Sequence, residues 1–296
     1  MTIYQPREVP LGGVRAMSVR RTLPLRDRPT VGAWCFLDRF GPQHTRMRVE
    51  PHPHTGLQTV TWPLAGEIRH RDSLGSDVVL RPGQLNLMTS GHGISHSEHS
   101  LGDGETLLDA VQLWVALPDS ARACSPAFET HPELPGLVID DASVTVILGE
   151  LAGVRSPATA FTPIVGAQAQ LPPGGRASVP LQADWEHGVV LLSGDVEVDG
   201  RDSLAKDDLL YLEPGRARVE LSTASGATVL VLGGEPFPEP IVMWWNFVGR
   251  THEEIAQARE EWEERSERFG TVPGHGDVRI PAPPLPTVRL LPRSRR

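Results

Sequence analysis

The chain has 296 residues, 39% hydrophobic and 22% charged, a balance that supports folded cores and excludes a disordered polyelectrolyte. With 37 acidic against 28 basic residues its formal net charge is -9, which argues against direct binding to nucleic-acid backbones or anionic membranes. Two cysteines are too few for a disulfide framework, and the first stretch has Pro, Arg and Glu where a signal peptide needs an apolar run, so a cytoplasmic protein is expected.

Glycine (29) and proline (28) are abundant, as in a chain with many turns. In the first half, short apolar or alternating runs lie between turn signals: "TVTWPLAG", "DVVLRPGQ", "LNLMTSG" and "AVQLWVALP". Such spacing predicts an antiparallel sandwich or barrel. After Pro118 the polar, proline-containing "PDSARACSPAFETHPELPG" reads as a connection, giving domains at residues 1–134 and 135–296. Strand-like runs resume with "LVIDDASVTVILGE". An internal echo then appears: "PLAGEIRHRDSLGSDVVLRPGQ" in the first half matches the order of features in "LLSGDVEVDGRDSLAKDDLLYLEPG" in the second. It points to a duplicated small barrel.

One helix is predicted at about 251–269. Thr251 is its N-cap and Glu254 the capping-box partner; Ile255, Ala258, Trp262 and Phe269 share a face, and Gly270 suits the position after the last turn. Glu260, Glu264 and Glu267 on the other face read as solvation. The proline-rich stretch from Thr271 onward is expected to be extended, and its basic end, "RLLPRSRR", a solvated tail.

Two short motifs carry chemistry. His52-Pro53-His54 places two imidazoles two residues apart, and His96-Ser97-Glu98 places an imidazole and a carboxylate likewise. Residues i and i+2 of a strand share a face, and Pro53 favours extended geometry at His52. If both strands line one barrel, three imidazoles and a carboxylate converge. That set suits Fe(II), Mn(II), Ni(II), Cu(II) or Zn(II) and disfavours calcium, leaving one or two positions open on an octahedral metal. Scattered surface histidines and structural hydrogen bonds are the competing reading of the same spacing.

"HPHTGLQTVTWPLAGEIRHRDSLG", followed by "PGQLNLMTSGHGISHSE", closely resembles the pirin family of the cupin superfamily. "FLDRFGP", "VQLWVALP" and "WWNFVGRTHEEIAQARE" extend the resemblance over nearly the whole chain. It implies an all-β bicupin: two antiparallel, jelly-roll-like β-barrels with a C-terminal helix. The N-terminal barrel would bind a single iron, with His52, His54, His96 and Glu98 at the family's ligand positions. The second barrel is expected to lack metal, because between Leu171 and Val231 its one histidine is His187, which reads as structural.

General cupins often use a glutamate four residues after the His-x-His pair, where this chain has Gln58, a poor ligand suited to lining the cavity or to packing. His92 and His99 flank the second pair and read as loop residues or as groups behind the ligands. His70 and Asp72 share a strand face, as a buried hydrogen-bonded pair or as a support for the ligands.

Two functions follow from the resemblance. The first is an Fe(II)-dependent dioxygenase of the quercetin 2,3-dioxygenase type, acting with O2 on a flavonol or similar chelating substrate. Glu98 would then be both ligand and base. The alternative is a non-enzymatic, iron-dependent redox-sensing regulator working through a protein partner.

Overall fold

A computed structural model describes residues 1–11, 17–25 and 27–292. Residues 293–296, part of the expected basic tail, lie outside the described residues. Strands dominate, as the turn spacing predicts, and the chain groups into two compact units.

One unit comprises Glu8–Val19, Leu37–Pro132 and Pro238–Arg296. Its larger sheet has seven strands in the order Ala127–His131, Leu85–Thr89, Leu57–Ala65, Thr106–Ala116, Trp34–Thr45, Met17–Leu23, Arg7–Leu11, the first four of them antiparallel. Its smaller sheet runs Arg48–His54, Ile94–Ser100, Ile68–Asp72, Asp77–Leu80. Phe40 and Leu108 from the first sheet pack with Met47, Val49 and Ile68 from the segment of the second. We call this the histidine unit.

The other unit comprises Met1–Arg7, Arg20–Phe36 and Glu133–Phe237. An eight-stranded sheet contains Glu186–Gly194 and Ala227–Gly234 at its centre, and a four-stranded sheet runs Arg176–Pro180, Arg218–Ser222, Val196–Val198, Asp202–Leu204. Valines, leucines and alanines of both sheets fill the space between them, among them Val146, Val189, Leu191, Val219, Leu221 and Val231. This is the aliphatic unit. In both units the four-stranded sheet follows the chain order first, fourth, second, third, so the echo seen in the sequence is a repeated topology.

The architecture is thus two all-β cupin domains and a C-terminal helix, with one correction. The sheets of each unit form a sandwich and do not close into barrels. The chain changes sheets at corners such as Arg46-Met47, where the ladder is interrupted instead of continuing around.

The helix spans His252–Glu263 and stops short of the expected 269. Arg265 takes a positive φ of 56°, ending it, and Phe269 falls in a separate 3-10 turn, Glu267–Phe269. Thr251 Oγ1 caps the Glu254 N–H as predicted, but the Glu254 carboxylate accepts from the Arg250 N–H at 2.8 Å instead of completing the box. Ile255, Ala258 and Trp262 are buried against Val242, Phe247 and Phe269. By contacts, the helix and the extended tail group with residues 37–132, not with the second half as the division at 134 assumed. The tail is tied down by its own backbone: the Ile280 N–H donates to Pro51 O at 2.8 Å and Ile280 O accepts from Trp262 Nε1 at 2.9 Å. No described helix is long and apolar enough to cross a membrane.

Candidate metal centre

The histidine unit buries a cluster of polar side chains: Thr59, Thr61, Asn86, His52, His54, His70, Asp72 and His96. Buried polar groups are costly unless each has a partner, so their hydrogen bonds define what the cluster is for.

The strand Arg48–His54 pairs antiparallel with Ile94–Ser100, setting His96 opposite His52. The ring centroids of His52, His54 and His96 are 4.4 to 5.0 Å apart, and their available nitrogens lie within 4.8 Å of one another. Each ring is pinned from behind. His52 Nδ1 lies 2.9 Å from Glu50 O and His54 Nδ1 lies 3.1 Å from Asn246 O. A carbonyl only accepts, so both Nδ1 atoms carry the hydrogen and both Nε2 atoms keep a lone pair.

His96 is fixed by a longer chain. Asp72 Oδ1 accepts from the Leu74 and Ser76 backbone N–H groups at 2.9 and 3.0 Å, and Asp72 Oδ2 sits 3.1 Å from His70 Nε2. His70 therefore donates from Nε2 and accepts at Nδ1, which faces His96 Nδ1 at 3.4 Å. His96 must then donate from Nδ1 and present a bare Nε2. That atom lies 3.1 Å from His54 Nε2. Two lone pairs aimed at each other at this distance call for a cation or a proton between them, and the three-imidazole donor set fits a divalent transition metal.

Burial favours the neutral ligand form. It lowers the His52 ring to a pKa of about 4, against a smaller opposing pull from the Glu50 carbonyl and with a further push down from His70. His54 and His96 lie well below the usual imidazole range, again through burial first. Glu98 shares a second group of possible ligand atoms with His96 and His70, and not with all three histidines. Burial raises its carboxyl, opposed by His70 and by the Thr61 hydroxyl, which donates to Oε1 at 3.2 Å. A β-bulge between His96 and Glu98 shifts the register there. All three histidines are buried, His52 the least completely, at 7% exposure against 2% and 1%. Trp114 and Phe128 close other sides, edge-on to His54 at 5.1 Å and stacked on His70 at 4.4 Å.

Two models of known families match the chain: Pirin over residues 13–115 and the Pirin C-terminal cupin domain over residues 166–270. A Pseudomonas aeruginosa protein provisionally named quercetin 2,3-dioxygenase is 44% identical over 95% of this chain and 89% of its own length. The chain belongs to the pirin family. Among solved structures, quercetin 2,3-dioxygenase from Acinetobacter baumannii superposes with a TM-score of 0.91 at 41% identity, covering 98% of this chain and 97% of its own. A bacterial pirin from Escherichia coli in complex with nickel(II) shares the fold, with a TM-score of 0.62 at 17% identity over 79% of this chain and all of its own.

In this pirin chain the remaining sequence-level candidates separate cleanly. Gln58 is buried and donates from Nε2 to Thr89 Oγ1 at 2.9 Å, a packing partner. His92 is exposed, its Nδ1 3.1 Å from Cys124 O. His99 is half-buried beside Glu50, 3.4 Å from Oε2. The His70–Asp72 pair is both a buried hydrogen bond and the support of His96. Asn246 is the residue that sequence reasoning missed. It contributes a backbone carbonyl, which leaves no side-chain signature, although it lies inside the family-like "WWNFVGR".

Proposed function

We propose that His52, His54, His96 and Glu98 hold one divalent metal, iron(II) first and Mn, Ni, Cu or Zn as alternatives. The site would serve a dioxygenase of the quercetin 2,3-dioxygenase type acting on a flavonol or similar chelating substrate with O2. The observation that carries this reading is the tautomer pattern, which turns three buried Nε2 lone pairs toward one another. The names of the relatives from Pseudomonas aeruginosa and Acinetobacter baumannii support the choice of reaction. When bound, the metal supplies a Lewis-acidic, redox-active meeting point for substrate and O2.

The residues of the chain do the rest. The three imidazoles provide neutral ligands that need lose no proton first. Glu98, its carboxyl raised by burial, is poised to take the substrate hydroxyl proton, with Thr61 holding Oε1 in place. Trp114 and Phe128 flank the imidazoles with apolar surface, which limits water at the centre.

The test is metal analysis of the purified protein, followed by anaerobic Fe(II) loading and a quercetin-plus-O2 assay on wild type, His54→Ala and Glu98→Ala. Wild type should bind one metal and consume O2 with quercetin, and His54→Ala should lose both. Turnover that persists without bound metal would sink the oxygenase reading. Stable metal binding without turnover of quercetin or related enediols would favour the regulator.

A further inference from the structure

The aliphatic unit contains a cavity of about 520 Å³, within the range of sites that enclose small organic molecules. It is lined by the segment Gly149–Val165 and by Pro180 to His187, all of one unit. Its position is informative. A gap-free alignment of "HPHTGLQTVTWPLAGE" (52–67) with "PLQADWEHGVVLLSGD" (180–195) sets Pro180 in the place of His52 and Gln182 in that of His54. The strands agree: Arg48–His54 and Leu57–Ala65 correspond to Arg176–Pro180 and Glu186–Gly194. The duplicated cupin thus has a cavity at the corner equivalent to His52 and His54, with the imidazole pair replaced.

What lines it is organic-binding chemistry. Phe161, Trp185, Leu181 and Ile164 provide flat and aliphatic walls, and the Trp185 indole is stacked on His187 at 6.3 Å and 22°. His187 is buried, which lowers its ring to a pKa of about 4 and leaves it a neutral hydrogen-bonding group. Thr162 Oγ1 is buried and has no hydrogen-bond partner among the described residues, an uncompensated cost that a ligand hydroxyl would remove. The cation of the lining, Arg155, is exposed and already paired with Glu150 at 2.7 Å, so nothing inside calls for an anion.

We infer that this cavity is a second binding site, independent of the metal centre, for a neutral planar aromatic molecule bearing a hydroxyl at its edge. The ring lies against Trp185 and Phe161, and the hydroxyl meets Thr162 and His187.

2-Naphthol tests this, because it has one edge hydroxyl and cannot chelate a metal; naphthalene is the control. Binding is followed by fluorescence titration of the full chain carrying His52→Ala and His54→Ala, so that the outcome does not depend on the metal centre or on turnover. Saturable 2-naphthol binding is expected, weakened about five-fold by Thr162→Val and about ten-fold by Trp185→Ala, with naphthalene binding insensitive to Thr162→Val. Thr162→Val is nearly isosteric, and a thermal midpoint no lower than that of the parent protein shows that the fold is kept. Binding that is absent, or that either substitution leaves unchanged, overturns the assignment.

Discussion

Asp72 touches neither His52 nor His54, yet the geometry makes it decide whether His96 can be a ligand. Consider Asp72→Asn. The side-chain oxygen must remain on the Leu74 and Ser76 N–H groups, which sit 2.9 and 3.0 Å away and need an acceptor. The new amide nitrogen then faces His70 Nε2 across the 3.1 Å contact and donates to it. His70 is forced to carry its hydrogen on Nδ1, directed at His96 Nδ1, and His96 must move its own hydrogen to Nε2. One proton now points into the centre where a lone pair stood. Losing such an outer partner typically weakens metal binding 10- to 100-fold, or about 1.4 to 2.7 kcal/mol. Competition titration of the anaerobic protein against a chelator of known Fe(II) affinity measures this directly, with Ni(II) as a redox-inert check. Asp72→Asn that folds and binds metal as tightly as wild type would refute the tautomer chain.

Other predictions concern stability. The folded-state pKa values of His52 and His187 are about 4, and those of His54 and His96 are also well lowered, so between pH 6.5 and about 4 the unfolded chain binds more protons than the folded one. Metal-free protein should therefore lose stability as pH falls through that window, by up to about 1.4 kcal/mol per pH unit for each histidine. A thermal midpoint that stays flat from pH 6.5 to 5 would contradict this. A Cβ on Gly166 would meet Trp34 Cζ2 at 2.7 Å, and that indole is anchored to Val165 O and Gly233 O. Gly166→Ala should cost about 1 to 3 kcal/mol in urea unfolding, and a neutral result would mean that the indole yields. Thr251→Ala removes the helix cap and should cost about 1 kcal/mol in the same assay, with metal stoichiometry unchanged.

Strand periodicity made the proposed metal residues legible. His52 with His54, and His96 with Glu98, are two apart, and Pro53 favours extended geometry at His52. The period also put His70 and Asp72 on one face, but not which of them reaches His96. Cross-strand register sets Asp72 opposite His96 and His70 opposite Glu98, yet it is His70 Nδ1 that lies 3.4 Å from His96 Nδ1. The helix end was misplaced because a non-glycine residue, Arg265, adopts the left-handed conformation that stops it. The tail was assigned to the second half because sequence order carries no information about a return path. Composition along each strand, in contrast, already separated the units: Thr59, Thr61, His52 and His54 line one interior, while Val189, Leu191, Val219 and Leu221 fill the other.

The carbonyl of Asn246 has a consequence for the order in which the protein is made. Both motifs leave the ribosome early, but the group that aims His54 is encoded after the last segment of the aliphatic unit, which ends at Phe237. During synthesis the centre therefore remains half-assembled until nearly five-sixths of the chain has been translated (246 of 296 residues). A fragment ending at residue 134 would carry every proposed ligand and still present one imidazole with its hydrogen free to sit on either nitrogen. On the proposed reading, a product terminated before Asn246 would hold the metal more loosely than the full chain.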